Sequence, residues 1–350
     1  MQLTFPSVYE FSGRLASPTA PLVRLLLAVG LAGMSTGTLA SDWIPFQAPP
    51  PQGGAWNVKV ENGFAVLYKG STQDTTTDQI YLLDRTGRPL RSLNPLSLAV
   101  GASSIAVWDV SVATTGWLAV NAVLKSTTGQ LSAALLIYDG KGALQNSLAL
   151  NRGEFNKIEF DEQGNVWGLG QAAGRDDPAD VPMVFEYDHT GTLLNQFLRR
   201  SQFPRDAKGI REGLGHGGSA AFGLAPGMAW FWLPESKQFV TMKRDGSDVK
   251  IISTGLPAWT EGDKAEKDME VEIETVQRLS SGQVLFEVFF RGKSGHNRRS
   301  LFLWEAGAWK RIPFADVDSF SATLVGVSGD DLVLLRQRTP QWQMREAPLQ

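Results

Sequence analysis

Two stretches of the chain concentrate side chains able to hold an anion. Residues 199–219 read RRSQFPRDAKGIREGLGHGGS, where Arg205, Lys208 and Arg211 lead into Gly213, Gly215, Gly217 and Gly218. Guanidinium groups bond carboxylate or phosphate in pairs, and glycine lets the backbone come close to a ligand. His216 lies among those glycines and is suited to proton transfer near neutral pH. The second stretch, RGKSGHNRR at 291–299, adds Arg291, Lys293, His296 and Arg298. If both stretches share one face of the fold, these eight residues form a candidate site for a small anionic ligand or an acidic protein surface. The competing reading is two solvated loops, the arginines of the first paired with Asp206, Glu212 or other acidic neighbours.

A third stretch, 170–181, holds Arg175, Asp176, Asp177 and Asp180. Clustered carboxylates can bind calcium, but their spacing does not match a twelve-residue EF-hand loop, so a polar loop competes with a calcium site. Other chemistries are excluded more firmly. The 350 residues contain no Cys, which removes disulfides, thiolate nucleophiles and Cys-ligated metals. Three His (His189, His216, His296) leave little for an all-His metal centre. There is no Gly-x-Ser-x-Gly, no His-Glu-x-x-His, and no Gly-Lys-Ser/Thr after the glycine-rich stretch. A net charge of −3 gives no general attraction to nucleic acid or an anionic membrane.

The elements that must carry these loops repeat. Short apolar runs follow a Gly turn at Gly63, Gly116, Gly164, Gly227, Gly282 and Gly329, at steps of 53, 48, 63, 55 and 47 residues. Each run is rich in Val, Leu, Phe or Trp and too short for an ordinary helix, which predicts buried strands. Strands are also expected just before most of these turns, at 56–60, 105–112, 155–160, 276–279 and 320–327. A second series of strands begins at Ile80, Leu135, Val184, Phe239 and Leu301 and ends in polar turns such as Tyr-Asp-His-Thr-Gly (187–191). Asp84, Asp139 and Asp188 recur at those turns and read as turn formers rather than catalytic acids. Each unit of about 50 residues is thus a four-stranded antiparallel meander, the signature of a propeller blade. Most of Trp108, Trp117, Trp167, Trp230, Trp232, Trp304 and Trp309 fall in strands, where packing between blades explains them.

The clearest unit, FNKIEFDEQGNVWGLGQ (155–171) followed by VFEYDHTGTLLNQF (184–197), resembles the repeat of NHL and TolB-like six-bladed β-propellers. The resemblance extends over about 45–345. The expected fold is all-β: a six-bladed β-propeller of four-stranded antiparallel blades. Six inner hairpins but only five outer ones can be counted, so residues 42–46 are expected to pair with 341–345 and close the ring, since an unpaired edge is a liability. The meander puts tight Gly turns on one face and long connections, including 69–79, 170–183, 199–219, 253–270 and 291–300, on the other. Long loops often carry function, so the long-loop face around the channel mouth is the expected site. The charge-alternating stretch 261–274 is expected to be a solvated excursion between blades that leads into a strand. The resemblance implies two functional classes. One is a non-catalytic module binding a ligand or protein. The alternative is a metal-dependent hydrolase or lactonase of the gluconolactonase-like type, which needs Glu, Asn and Asp in the channel; Asn121, Asn156 and Asn165 are available.

Residues 25–34 (LLLAVGLAGM) form a short uncharged run behind Arg14 and Arg24, followed by Thr38-Leu39-Ala40. Basic flank, apolar core and small-x-small exit are features of a secretory signal peptide, so 1–40 is expected to be removed after Ala40. Ten helical residues reach only about half of a bilayer core. The expectation is an exported protein with a single domain over 41–350 and no transmembrane segment in the mature chain.

Overall fold

The computed structural model describes residues 43–47, 56–76, 78–150, 154–171, 182–203, 221–234, 236–258, 260–261, 264–265, 269–292, 297–305, 307–338 and 341–349. Alternating apolar strands and Gly turns fold into six successive antiparallel sheets of four or five strands, with one further two-stranded hairpin among the described residues. Sheet 1 is Trp56–Glu61, Phe64–Lys69, Ile80–Asp84 and Pro89–Leu93. Sheet 2 is Ala102–Val112, Leu118–Ser126, Leu131–Tyr138 and Leu144–Ala149, and sheet 3 is Glu154–Phe160, Val166–Gln171, Pro182–Tyr187 and Leu193–Arg199. Sheet 4 is Ala221–Ala225, Met228–Leu233, Gln238–Lys243 and Lys250–Ser253; sheet 5 is Met269–Arg278, Val284–Gly292, Arg298–Glu305 and Ala308–Ile312. Sheet 6 is Thr323–Ser328, Asp331–Arg338 and Gln341–Pro348, completed by Ile44–Pro45 from the other end of the chain.

That last pairing is the expected one, with Ile44 opposite Met344 and Pro45 opposite Gln343. It is anchored on both sides. Phe46 is buried, its N–H donating to Trp342 O at 2.9 Å, and Gln47 N donates to Gly87 O in sheet 1 at 2.8 Å. Trp43 lies under two guanidinium groups, with Arg336 Cζ 4.0 Å and Arg345 Cζ 4.9 Å from the ring centroid. Asp316 binds both arginines.

Turn chemistry explains the hairpins. Asn62 and Gly63 have φ of 51° and 82°, the pair of positive values a two-residue hairpin loop requires. Asp84, Asp139 and Asp188 each accept, through Oδ1, the backbone N–H groups two and four residues on, and Asp161 does the same. These aspartates build turns, as their recurrence predicted.

The core is divided between neighbouring sheets. Val66 and Leu82 pack with Val107 and Val120 between sheets 1 and 2. Ala119 and Ile137 meet Phe155 and Ile158 between 2 and 3, and Trp167 and Val184 meet Phe222 and Phe231 between 3 and 4. Trp230 and Trp232 meet Phe286 and Val288 between 4 and 5, and Leu285 and Leu301 meet Leu332 and Leu334 between 5 and 6. Ala65 and Leu67 of sheet 1 pack with Val333 and Leu335 of sheet 6. Each fully buried aliphatic or aromatic side chain contributes roughly 1.5–3 kcal/mol, so the layers between neighbouring sheets are a main source of stability. The tryptophans at 167, 230, 232 and 304 are all buried in these layers.

Three expectations about strands are corrected. The first strand of sheet 5 starts at Met269, so half of the charge-alternating stretch is sheet rather than loop, and Thr260–Glu261 pairs with Lys264–Ala265 in a small hairpin before it. The first strand of sheet 6 starts at Thr323 because Phe320, with φ of 58°, ends a turn after the short helix Ala315–Asp318. Within the long connection 69–79, Ser71–Thr72 pairs with Ile105 and Ala106 and adds a fifth strand to sheet 2.

Candidate functional site

The first strands of the sheets are neighbours of one another: sheet 1 with 2, 2 with 3, 3 with 4, 4 with 5, 5 with 6 and 6 with 1. Residues of all six sheets line one cavity of about 540 Å³. Four of these first strands carry a β-bulge, where the register shifts at Val107/Asp109, Phe155/Lys157, Ile273/Thr275 and Leu324/Gly326. A bulge adds one residue, increases the local twist and re-aims the side chains beside it. Asp109 and Lys157, each following a bulge, line the cavity.

Sheets 1, 2 and 3 form a charged wall. Lys59 Nζ donates to Ile158 O at 2.8 Å and lies 3.0 Å from Glu159 Oε1, 3.5 Å from Asp109 Oδ2 and 3.7 Å from Glu61 Oε2. Burial alone would lower the Lys59 pKa, but Asp109, Glu159 and Glu61 together outweigh it and hold the ammonium above its ordinary value. Burial, reinforced by the nearby Glu61, pushes the Glu159 carboxyl well above the usual range despite the ammonium beside it. Glu61 is tied down differently. It accepts Ser111 Oγ at 2.7 Å and Val112 N at 3.2 Å. Burial, and then the Asp109 carboxylate, raise the Tyr68 phenol on the same wall. Lys157 Nζ is held loosely, 3.9 Å from Asp109 Oδ1 and partly open to solvent.

Part of this wall joins one sheet to the next. Asp109 Oδ2 accepts Ile158 N at 2.8 Å, Ser111 Oγ accepts Phe160 N at 2.8 Å, and Asn62 Nδ2 donates to Val112 O at 2.8 Å. Buried N–H groups released by the bulged strands need such acceptors, because an unsatisfied one costs about 1–3 kcal/mol.

Sheet 5 presents a second polar wall. Arg299 Nη2 lies 2.9 and 3.1 Å from the two oxygens of Glu274, and its Nε is 3.6 Å from Glu287 Oε1. Glu287 is 1 % exposed and its Oε2 accepts Leu324 N of sheet 6 at 3.1 Å. Burial, the larger effect, and the neighbouring Glu274 push its carboxyl up to about 8, against the pull of Arg299. Neither Glu287 Oε1 nor Arg299 Nε has a hydrogen-bond partner among the described residues. Sheets 4 and 6 contribute apolar lining between the polar walls: Phe222, Leu224 and Trp230 from one, Leu324, Val325 and Val327 from the other. Trp230 lies across Gly223, whose modest size is essential there: a Cβ would come 2.6 Å from the indole ring.

None of the charged cavity residues was singled out in the sequence, although a signal was present. Lys59, Asp109 and Glu159 are each 50 residues apart, the repeat length itself, and each interrupts an apolar strand. The eight expected anion-site residues fare differently. Arg205, Lys208, Arg211, His216, Lys293 and His296 lie outside the described residues, as do Arg175, Asp176, Asp177 and Asp180. Arg291 is exposed, 3.5 Å from Glu272 and over the Phe289 ring, and Arg298 opens the third strand of sheet 5 opposite Phe290. Neither lines the cavity.

The asparagines implied by the lactonase alternative do not converge on the cavity either. Asn121 Nδ2 donates to Phe155 O, and Asn165 Nδ2 bonds Asp161 and Glu186. Asn156 does not line the cavity. Among the described residues no group of three or more His, Asp or Glu is arranged to hold a metal ion. No helix among them is long and apolar enough to cross a membrane.

No protein-family model and no curated protein matches the chain. Among solved structures, a member of the DUF4221 family from Bacteroides vulgatus is similar over 88 % of this chain and 96 % of that one, with 9 % identity and a TM-score of 0.54. The periplasmic gluconolactonase PpgL from Pseudomonas aeruginosa gives 14 % identity, 84 % and 86 % coverage and a TM-score of 0.42, a likeness that carries no weight on function. Six successive antiparallel sheets of four or five strands, with the first likeness, identify the fold as a β-propeller.

Proposed function

We propose that the protein is an exported, closed six-bladed propeller that acts as a non-catalytic binding module through its long-loop face and the cavity beneath it. Closure is supported by a core between every pair of neighbouring sheets, the last and first included, and by the strand shared between the chain ends. Export is supported by the apolar run at 25–34 and the small-x-small exit at 38–40.

The observation that carries the binding reading is the cavity itself. At about 540 Å³ it falls within the range of small-molecule sites, and it combines apolar lining with a few convergent polar groups. The opposite end of the sheets is stitched together instead. Arg91 reaches Asp139 O and Gly116 O, Arg244 Nη2 meets Glu162 Oε1 at 2.9 Å, and Ser281 N meets Asp330 Oδ1 at 3.0 Å. Such cross-links between turns build a rigid base and leave the long connections for recognition. The basic stretches containing Arg205, Lys208, Arg211 and His216, and Arg291, Lys293, His296 and Arg298, read from the sequence as long connections, are the proposed contacts for an anionic ligand or acidic protein surface.

The test is a thermal-shift and calorimetric screen of the purified protein against inorganic phosphate, citrate and acidic and neutral small molecules. A saturable ligand whose affinity falls at least tenfold in the Arg205→Ala/Arg211→Ala variant supports the basic rim. Unchanged affinity across the anions overturns it.

A further inference from the structure

We propose that the cavity takes a neutral polyhydroxylated ligand, such as a small saccharide or polyol, held between the charged wall of sheets 1–3 and the Arg299–Glu287 wall of sheet 5. This rests on the reading of the cavity as a binding site and adds the class of ligand.

The cavity lining contains four cationic and five acidic side chains among the described residues. An anionic ligand there meets carboxylates on both polar walls, and a cationic one meets Lys59, Lys157 and Arg299. A hydroxyl group escapes this conflict because it both donates and accepts. The lining offers both kinds of polar group: Lys59, Lys157 and Arg299 can only donate, whereas the carboxylates of Glu61, Asp109 and Glu274 can accept. On the sheet 5 wall Glu287, 1 % exposed, lies 3.6 Å from Arg299 Nε and holds that guanidinium in place. Lys157, loosely held by Asp109, supplies a further donor on the opposite wall. The apolar lining from sheets 4 and 6 suits the C–H faces that saccharides and polyols carry alongside their hydroxyls. A ligand lying between the two polar walls would use all of these at once.

The experiment is titration calorimetry on the purified protein, expressed from the full-length chain, with three probe sets of similar size. They are neutral (glucose, maltose, cellobiose, sorbitol), acidic (glucuronate, citrate) and basic (glucosamine, spermidine). The expected result is saturable binding of the neutral set in the cavity, with any binding of the acidic set depending on Arg205 and Arg211 of the rim instead. Affinity should drop at least tenfold in Lys157→Ala and in Glu287→Gln, with melting temperatures measured alongside to show that both variants fold. Binding confined to acids or amines overturns the ligand class while leaving the binding module standing. Neutral binding that both variants leave unchanged overturns the placement in the cavity. No binding by any probe overturns the ligand class and the cavity's role together, whereas loss of anion binding in the rim variant alone concerns only the basic loops.

Discussion

Lys59 Nζ lies 3.0 Å from Glu159 Oε1, so the first strands of sheets 1 and 3 are joined by an ion pair on the wall of the cavity. The same ammonium also serves Asp109 of the sheet between them. One cation therefore compensates carboxylates from three sheets, and removing it leaves them facing one another without compensation.

Replacing Lys59 by Met should cost about 3–5 kcal/mol, the penalty typical of breaking a buried pair from one side. The double variant Lys59→Met/Glu159→Gln should recover part of that loss. Urea unfolding of both variants checks the expectation; additive losses would show that the two residues are not coupled.

The raised carboxyls set a pH dependence with a definite sign. Burial lifts Glu287 to about 8, and Glu159 is also raised. Between the ordinary glutamate range and those higher values the folded state binds more protons than the unfolded chain, so stability falls as pH rises. The protein should be more stable at pH 5.5 than at pH 8. Glu287→Gln should flatten that slope by on the order of 2–4 kcal/mol. Below pH 4 the trend reverses, because Asp84, Asp139 and Asp188 are held low by the hydrogen bonds of their turns. Chemical denaturation across pH 3–9 measures both limbs.

Gly223→Ala should force the Trp230 indole off the strand it covers. A loss of roughly 1–3 kcal/mol is expected, as for overpacking elsewhere. Tryptophan emission should shift as the ring moves; an unchanged spectrum and melting temperature would count against this packing.

Trp43→Ala should loosen the strand that completes sheet 6. The two guanidinium contacts are worth about 0.5–2 kcal/mol each. The expected result is a lower melting temperature and faster proteolysis near 44–47, with the first cut detected by mass spectrometry.

The sheets were legible because their causes are local. Alternating apolar residues, Asn62-Gly63 and the repeated Asp turns each specify a strand or hairpin without reference to distant residues. Even the pairing of 42–46 with 341–345 followed from counting strands. Strand starts were harder. Met269–Glu274 reads as the end of a charged excursion leading into a strand, yet its alternation places Val271 and Ile273 on one face and Glu270 and Glu272 on the other, and the sheet partner sets where the strand starts. The cavity was harder still, because Lys59, Asp109 and Glu159 meet only after three sheets have stacked. Their 50-residue spacing was visible, but each looked like an isolated charge in a strand. Dense local charge stands out along a chain, as in the basic stretches at 199–219 and 291–299, whereas this cavity gathers single charges from several repeats.

The strand Ile44–Pro45 lies near the start of the chain and completes the sheet formed by its last hairpin. Translation delivers these two segments at opposite ends of its timetable. The early segment must wait, without its partner, until residues 341–348 arrive. Any helper, tag or truncation that occupies either end in the meantime competes directly with the final step of assembly.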